Sequence, residues 1–116
     1  MANEITPSSW SVSTAGAAGA AVTATYAANA NASHYVTKIN VVVSTAALTN
    51  LVTIILKDGT TAIWQSALPA SAAVGQQVTF DFPFPLKITK NSAPNLVVSA
   101  STGTSVVVAS MSGYTK

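Results

Sequence analysis

The chain contains no cysteine and no arginine. Without cysteine it has neither a disulfide framework nor a thiolate metal site, as expected of a protein made in a reducing compartment. A domain of 116 residues must then be held by its core alone. At this size that core buries roughly two thirds of the surface exposed by the unfolded chain. Without arginine the bidentate contacts that read phosphates and guanines are missing. The five lysines, Lys38, Lys57, Lys87, Lys90 and Lys116, are scattered, and only Lys87 and Lys90 lie close together. The net charge of +2 reflects a shortage of acids, so no nucleic-acid partner is expected.

Charge of either sign is scarce. Asp, Glu, Lys and Arg make up 7% of the chain, against about 25% in an ordinary soluble domain. Disorder does not account for this, because 49% of residues are hydrophobic. Nor does a membrane span: the longest candidate, Ala15 to Val22, is eight small residues, far short of the ~20 required. Met1 to Trp10 has no basic residue and no apolar run, so no secretory signal is expected. What is left is a folded protein with a neutral Ser/Thr/Ala surface. It has less solubilising charge than a free monomer usually keeps, and much of that surface is expected to meet other subunits.

Catalytic parts are equally short. There is one histidine, His34, and three acids, Glu4, Asp58 and Asp81. Serines are plentiful, but no G-x-S-x-G elbow accompanies them. His34 opens a strand beside Tyr35 and is expected to be a partly buried or interface group rather than a general base. Paired carboxylates for glycoside hydrolysis would need two acids facing one bond. Asp58 is assigned to a turn, Asp81 to an outward strand position and Glu4 to a terminal arm. No metal-ligand spacing, calcium loop, phosphate loop or dinucleotide glycine pattern occurs. The expectation is a protein that is not an enzyme, with no catalytic, cofactor or metal residues. Asn31-Ala32-Ser33 matches the glycosylation acceptor, a pattern expected by chance in a chain this rich in Asn and Ser.

What is present is β-periodicity. Residues 1–9 read as an extended arm, and 10–116 as one domain with no internal repeat. Ala15 to Ala21 is a loop, because Gly16 and Gly19 weaken a helix that has no polar face. Val22 to Ala27 alternates as a strand, and Asn29 to Ser33 turns. His34 to Ser44 is the strongest strand, with Tyr35, Thr37, Ile39, Val41 and Val43 on one face and Val36, Lys38, Asn40 and Val42 on the other. Leu51 to Lys57 and Thr60 to Ser66 flank Asp58-Gly59, a hairpin signal in which both residues would take positive φ. Ile54 and Ile55, and likewise Ile63 and Trp64, point to opposite faces, so one side needs a cover. Gln76 to Phe82 places Val78, Phe80 and Phe82 inward and is ended by Pro83 and Pro85. Leu96 to Ser101 and Ser105 to Ser112 complete about eight strands. The fold class is all-β, an antiparallel, jelly-roll-like β-sandwich.

Rings with polar handles are enriched where protein meets protein. Trp10, Tyr26, Tyr35, Trp64 and Tyr114 are therefore interface candidates, together with His34 and Ile55, each also eligible as core. A second use of such groups is a sugar-binding platform with Asn neighbours, for which the Asn29 to Tyr35 stretch is the candidate.

Taken in order, several segments resemble the small all-β virion proteins of tailed bacteriophages, of the capsid decoration or cement type. These are His34-Tyr35-Val36-Thr37-Lys38-Ile39, Lys57-Asp58-Gly59-Thr60 with Ile63-Trp64, Val78-Thr79-Phe80-Asp81-Phe82-Pro83, Pro85-Leu86, Asn95-Leu96-Val97-Val98 and Gly113-Tyr114-Thr115. The resemblance covers about residues 10–116. It implies a β-sandwich subunit, a homotrimer, seated on the capsid surface against the major capsid protein and assembled in the bacterial host cytoplasm. It carries over no catalytic residue and no cofactor. It does not separate a head-decoration protein from a tail or fibre domain that binds a host-surface glycan, because these share small β folds.

Overall fold

A computed structural model describes residues 8–101 and 103–116. The expected N-terminal arm lies, over residues 1–7, outside the described residues. The described chain is built from eight strands: β1 (Ser8–Ala15), β2 (Val22–Thr25), β3 (His34–Thr45), β4 (Val52–Asp58), β5 (Thr61–Leu68), β6 (Gln77–Lys87), β7 (Pro94–Val98) and β8 (Val106–Thr115). They form two four-stranded sheets, ordered β1-β8-β3-β6 and β2-β7-β4-β5, and every pairing is antiparallel. Consecutive strands alternate between the sheets except at the β4–β5 hairpin. This is the jelly-roll arrangement of an antiparallel β-sandwich, as the strand spacing predicts.

The core lies between the sheets. Val52, Ile54 and Leu56 of β4 and Leu96 and Val98 of β7 face Ile39, Val41 and Val43 of β3 and Val107, Ala109 and Met111 of β8, all buried. Alternation puts one side chain in two into this layer. Trp10, Val12 and Thr14 face inward from β1, whereas Ser9, Ser11, Ser13 and Ala15 face water.

Three local readings are corrected. First, β3 does not keep one face along its length. Val36 pairs with Gly113 and Lys38 with Ser112, so Thr37 is an extra residue without its own partner. That bulge reverses the alternation: His34 and Val36 point inward before it, and Ile39, Val41 and Val43 after it. Tyr35 therefore lies opposite to Ile39, on the outer face. Second, the hairpin centres one residue later than Asp58-Gly59. Asp58 pairs with Thr61, leaving Gly59 and Thr60 as the turn, and of these only Gly59 (φ 62°) takes positive φ. Glycine at the first central position fits a type II′ turn. Third, Pro83 and Pro85 interrupt β6 without ending it, because pairing with β3 resumes at Leu86 and Lys87.

Candidate interaction surfaces

The aromatic residues fall into three groups. At one end of the sandwich Trp10 (β1) stacks on Tyr26, just beyond β2, with centroids 4.4 Å apart, and His34 (β3) meets both rings edge-on. This triad joins the two sheets. Trp10 and His34 are buried, at 7% and 2% exposure. The His34 Nε2 donates to the carbonyl of Ala27 (2.7 Å), and in the neutral ring Nδ1 then accepts from the Thr115 hydroxyl (2.6 Å). Both imidazole nitrogens are thus occupied by the chain itself. An open cavity of about 430 Å³ beside the triad is lined by Ser8, Tyr26, Asn29, His34 and Thr115, among others.

The second group lies along one long edge, where β5 and β6 flank the opening between the sheets. Trp64 of β5 reaches Phe80 and Phe82 of β6, each at 5.7 Å, and Phe80 and Phe82 lie 4.9 Å apart. Phe82 is buried, but Phe80 remains 41% exposed although it pairs with the buried Ile39. Its inward direction is as expected; an edge strand simply has nothing beyond it. Ile63 is a bulged residue of β5, since Leu56 pairs with Trp64 and Lys57 with Ala62. It is 38% exposed, and Phe84 on β6 is 84% exposed.

The third group is on the outer face of the first sheet. Tyr35 and Tyr114 are cross-strand partners whose rings stack at 4.9 Å. Beside them run the rows Ser11–Ser112–Lys38–Asp81 and Ser13–Ser110–Asn40–Thr79, across all four strands. Ser110 donates to Ser13 (2.9 Å) and Asn40 to Gln77 (3.1 Å). The small serine side chains leave a depression of about 280 Å³. On the outer face of the other sheet, Ile55 sits between Gln65 and Val97, half-buried by its neighbours.

The two acids among the described residues do not converge. Asp81 is exposed on the first sheet, while Asp58 ends β4 in the second. Asp58 Oδ2 accepts from the Thr89 backbone N–H (3.1 Å) and from its hydroxyl (2.6 Å). Burial raises the Asp58 pKa, but these Thr89 bonds outweigh it and hold the carboxyl below its ordinary value. The Ser92 hydroxyl lowers it least; Oδ1 has no partner within hydrogen-bond distance. Among the described residues no three His, Cys, Asp or Glu side chains gather as metal ligands would; Glu4 lies outside them.

Of the seven residues singled out from sequence, Trp10, Tyr26 and His34 are brought together, Tyr35 and Tyr114 form a second pair, and Trp64 and Ile55 stand apart from both. Sequence reasoning missed the most exposed aromatic, Phe84. Its signal is Pro-Phe-Pro inside an alternating strand, a pattern that taken alone marks only a terminator.

The fold and its surfaces define a class: a small jelly-roll domain whose exposed chemistry is aromatic and hydroxyl-rich rather than ionic. No protein-family model matches this chain, and no curated protein matches it.

Proposed function

We propose that the chain is a non-enzymatic structural subunit of a bacteriophage virion, a capsid decoration or cement protein. It sits on the capsid surface, bridges major capsid protein subunits and associates with itself as a homotrimer. One observation carries this reading. A molecule whose chain has only eight charged residues (five basic, three acidic) exposes Phe84, Phe80 and Ile63 along one edge. Large exposed apolar groups on two adjoining edge strands, in a molecule with so little charge, favour a partner over a bare surface. The order of the resembling segments adds the kind of assembly. Cementing is then linkage: a subunit that binds only the mature lattice stabilises it by mass action, and many weak copies add up.

Particles lacking this protein should lose their DNA on heating or chelation more readily than complete ones, as read by dye access to the genome. Equal resistance would remove the cementing role. Copy number in purified virions gives a second test, since hundreds per head fit cement and a handful at the tail do not.

The cavity beside Tyr26, Asn29 and His34 favours a second reading, a tail or fibre domain that binds a host-surface glycan. It combines a ring with amide and hydroxyl groups in the region where the sequence places such a platform. Specific binding on a glycan array would move the assignment there.

A further inference from the structure

The lysines are scattered in sequence, but strand register gathers three of the five on the outer face of the first sheet. Lys87 pairs with the outward Tyr35, and Lys38 follows on the same face past the bulge. The β3–β8 ladder runs on to Lys116, which exchanges both backbone bonds with Ser33. Alternation then puts Lys116 on the side of Tyr114. The three cations therefore surround the stacked Tyr35–Tyr114 pair, and Asp81 is the one acid on this face among the described residues.

The depression of about 280 Å³ lies beside that pair and has a definite form. One wall is the row Ser11–Ser112–Lys38, the other the row Ser13–Ser110–Asn40. Between them lies the row Val12–Met111–Ile39, whose side chains point into the core, so its backbone is the floor. The walls stand about 7 Å apart, and the groove crosses three strands over about 10 Å. Serine fills these wall positions where β-branched residues would suit a pleated surface better, and the groove exists because the serines are small.

The walls are rich in free donors. Ser110 donates to Ser13, which leaves the Ser13 hydroxyl hydrogen free. Among the described residues, the hydroxyls of Ser11 and Ser112 and the Lys38 ammonium take no side-chain partner. Lys38 is the only charged residue in the lining, and Asp81 is not part of it. Such a groove suits a ligand with many acceptors and a negative charge. A protein partner fits poorly, because interface cores are depleted in Lys and Ser and these walls carry no apolar side chain. Single-stranded nucleic acid fits poorly too, since it needs ring faces for successive bases, and Tyr35 and Tyr114 cover one face of each other. A sugar ring offers hydroxyls to both walls, and a carboxylate on it meets the lysine.

We infer that this groove binds a carboxylate-bearing saccharide, its acid group at Lys38 and its hydroxyls on the two serine rows. The site is distinct from the cavity beside Tyr26 and requires no capsid shell, so it goes beyond both functional readings.

The test is titration calorimetry of the purified full chain with four acidic oligosaccharides: oligogalacturonate, oligoalginate, a hyaluronan fragment and oligosialic acid. At least one should bind in about 50 mM sodium chloride and bind less well in about 0.5 M, whereas neutral maltotetraose should not bind. Lys38→Gln should keep the thermal midpoint and weaken binding on the order of tenfold, as loss of a charged hydrogen bond does. Ser11→Gln, which fills the groove from an exposed position on the edge strand β1, should do the same. Failure of all four sugars to bind overturns the inference, as does equal binding of maltotetraose. Pentaglutamate or oligothymidylate binding as tightly as the best sugar would show a face that selects charge alone, which also overturns it. Binding that survives Lys38→Gln and Ser11→Gln but is lost in Asn29→Ala places the sugar in the Tyr26 cavity, which supports the second functional reading and removes this site. The cement reading has its separate readout in particle stability, which none of these results decides.

Discussion

Gly113 is fixed by two neighbours at once. A Cβ there would collide with the Tyr35 carbonyl and lie 3.0 Å from the Trp10 ring. The backbone oxygen cannot move aside without disturbing the β3–β8 ladder. Gly113→Ala should therefore cost about 1–3 kcal/mol, the range for overpacking a well-filled site, measured by denaturant unfolding; an unchanged midpoint would contradict the close approach. Asp58 supplies a second residue-scale expectation. Its carboxyl is held below the ordinary pKa by Thr89, so its contribution to stability is fully present above the ordinary carboxylate range. It is lost as pH falls through the lower, folded-state value. Thermal midpoints should drop on acidification below about pH 4, and Asp58→Asn should be less stable at neutral pH while losing much of that acid sensitivity. The same carboxylate shows why its role was misread from sequence. Local propensity makes Asp58-Gly59 the turn itself, but a one-residue shift frees Asp58 to tie the hairpin to Thr89.

Strands other than β1 were legible as elements because alternation is a local property, and the core positions of β4 and β7 follow it without interruption. Bulges were not legible, because an unpaired residue is defined by the neighbouring strands and leaves no mark in its own sequence. Thr37 looks like any β-branched residue in a run of them, yet it decides which side of β3 faces the core. Deleting Thr37 should place His34 and Val36 in water and prevent folding, as read by near-UV circular dichroism. Thr37→Ala keeps the backbone residue and loses only the 3.2 Å bond from its hydroxyl to the Ser112 carbonyl. It should cost no more than about 0.5–1.5 kcal/mol. Were the two variants equally damaging, the side chain and not the register would be the essential part. The interaction surfaces were half legible for the same reason. Stacked pairs such as Tyr35 and Tyr114 depend on cross-strand register, and Phe84 owes its exposure to a four-against-one mismatch with β3.

For the molecule as a whole, scarcity of charge sets how the proposed self-association would respond to solvent. Contacts made without ion pairs are not weakened by screening, whereas excluded salts strengthen apolar burial. Self-association should be nearly constant between roughly 50 mM and 0.5 M sodium chloride, and should tighten in ammonium sulfate, by analytical ultracentrifugation. A steep loss with sodium chloride would point to an ionic contact. The strand order carries a further consequence. β8 runs through the interior of its sheet, between β1 and β3, although it lies at residues 106–115. Neither neighbour can complete its ladder before those residues have been synthesised, and pairings between such distant segments form slowly. A nascent chain therefore lacks a complete first sheet until residues 106–115 have emerged, and its β1 stays without a partner in that sheet until then.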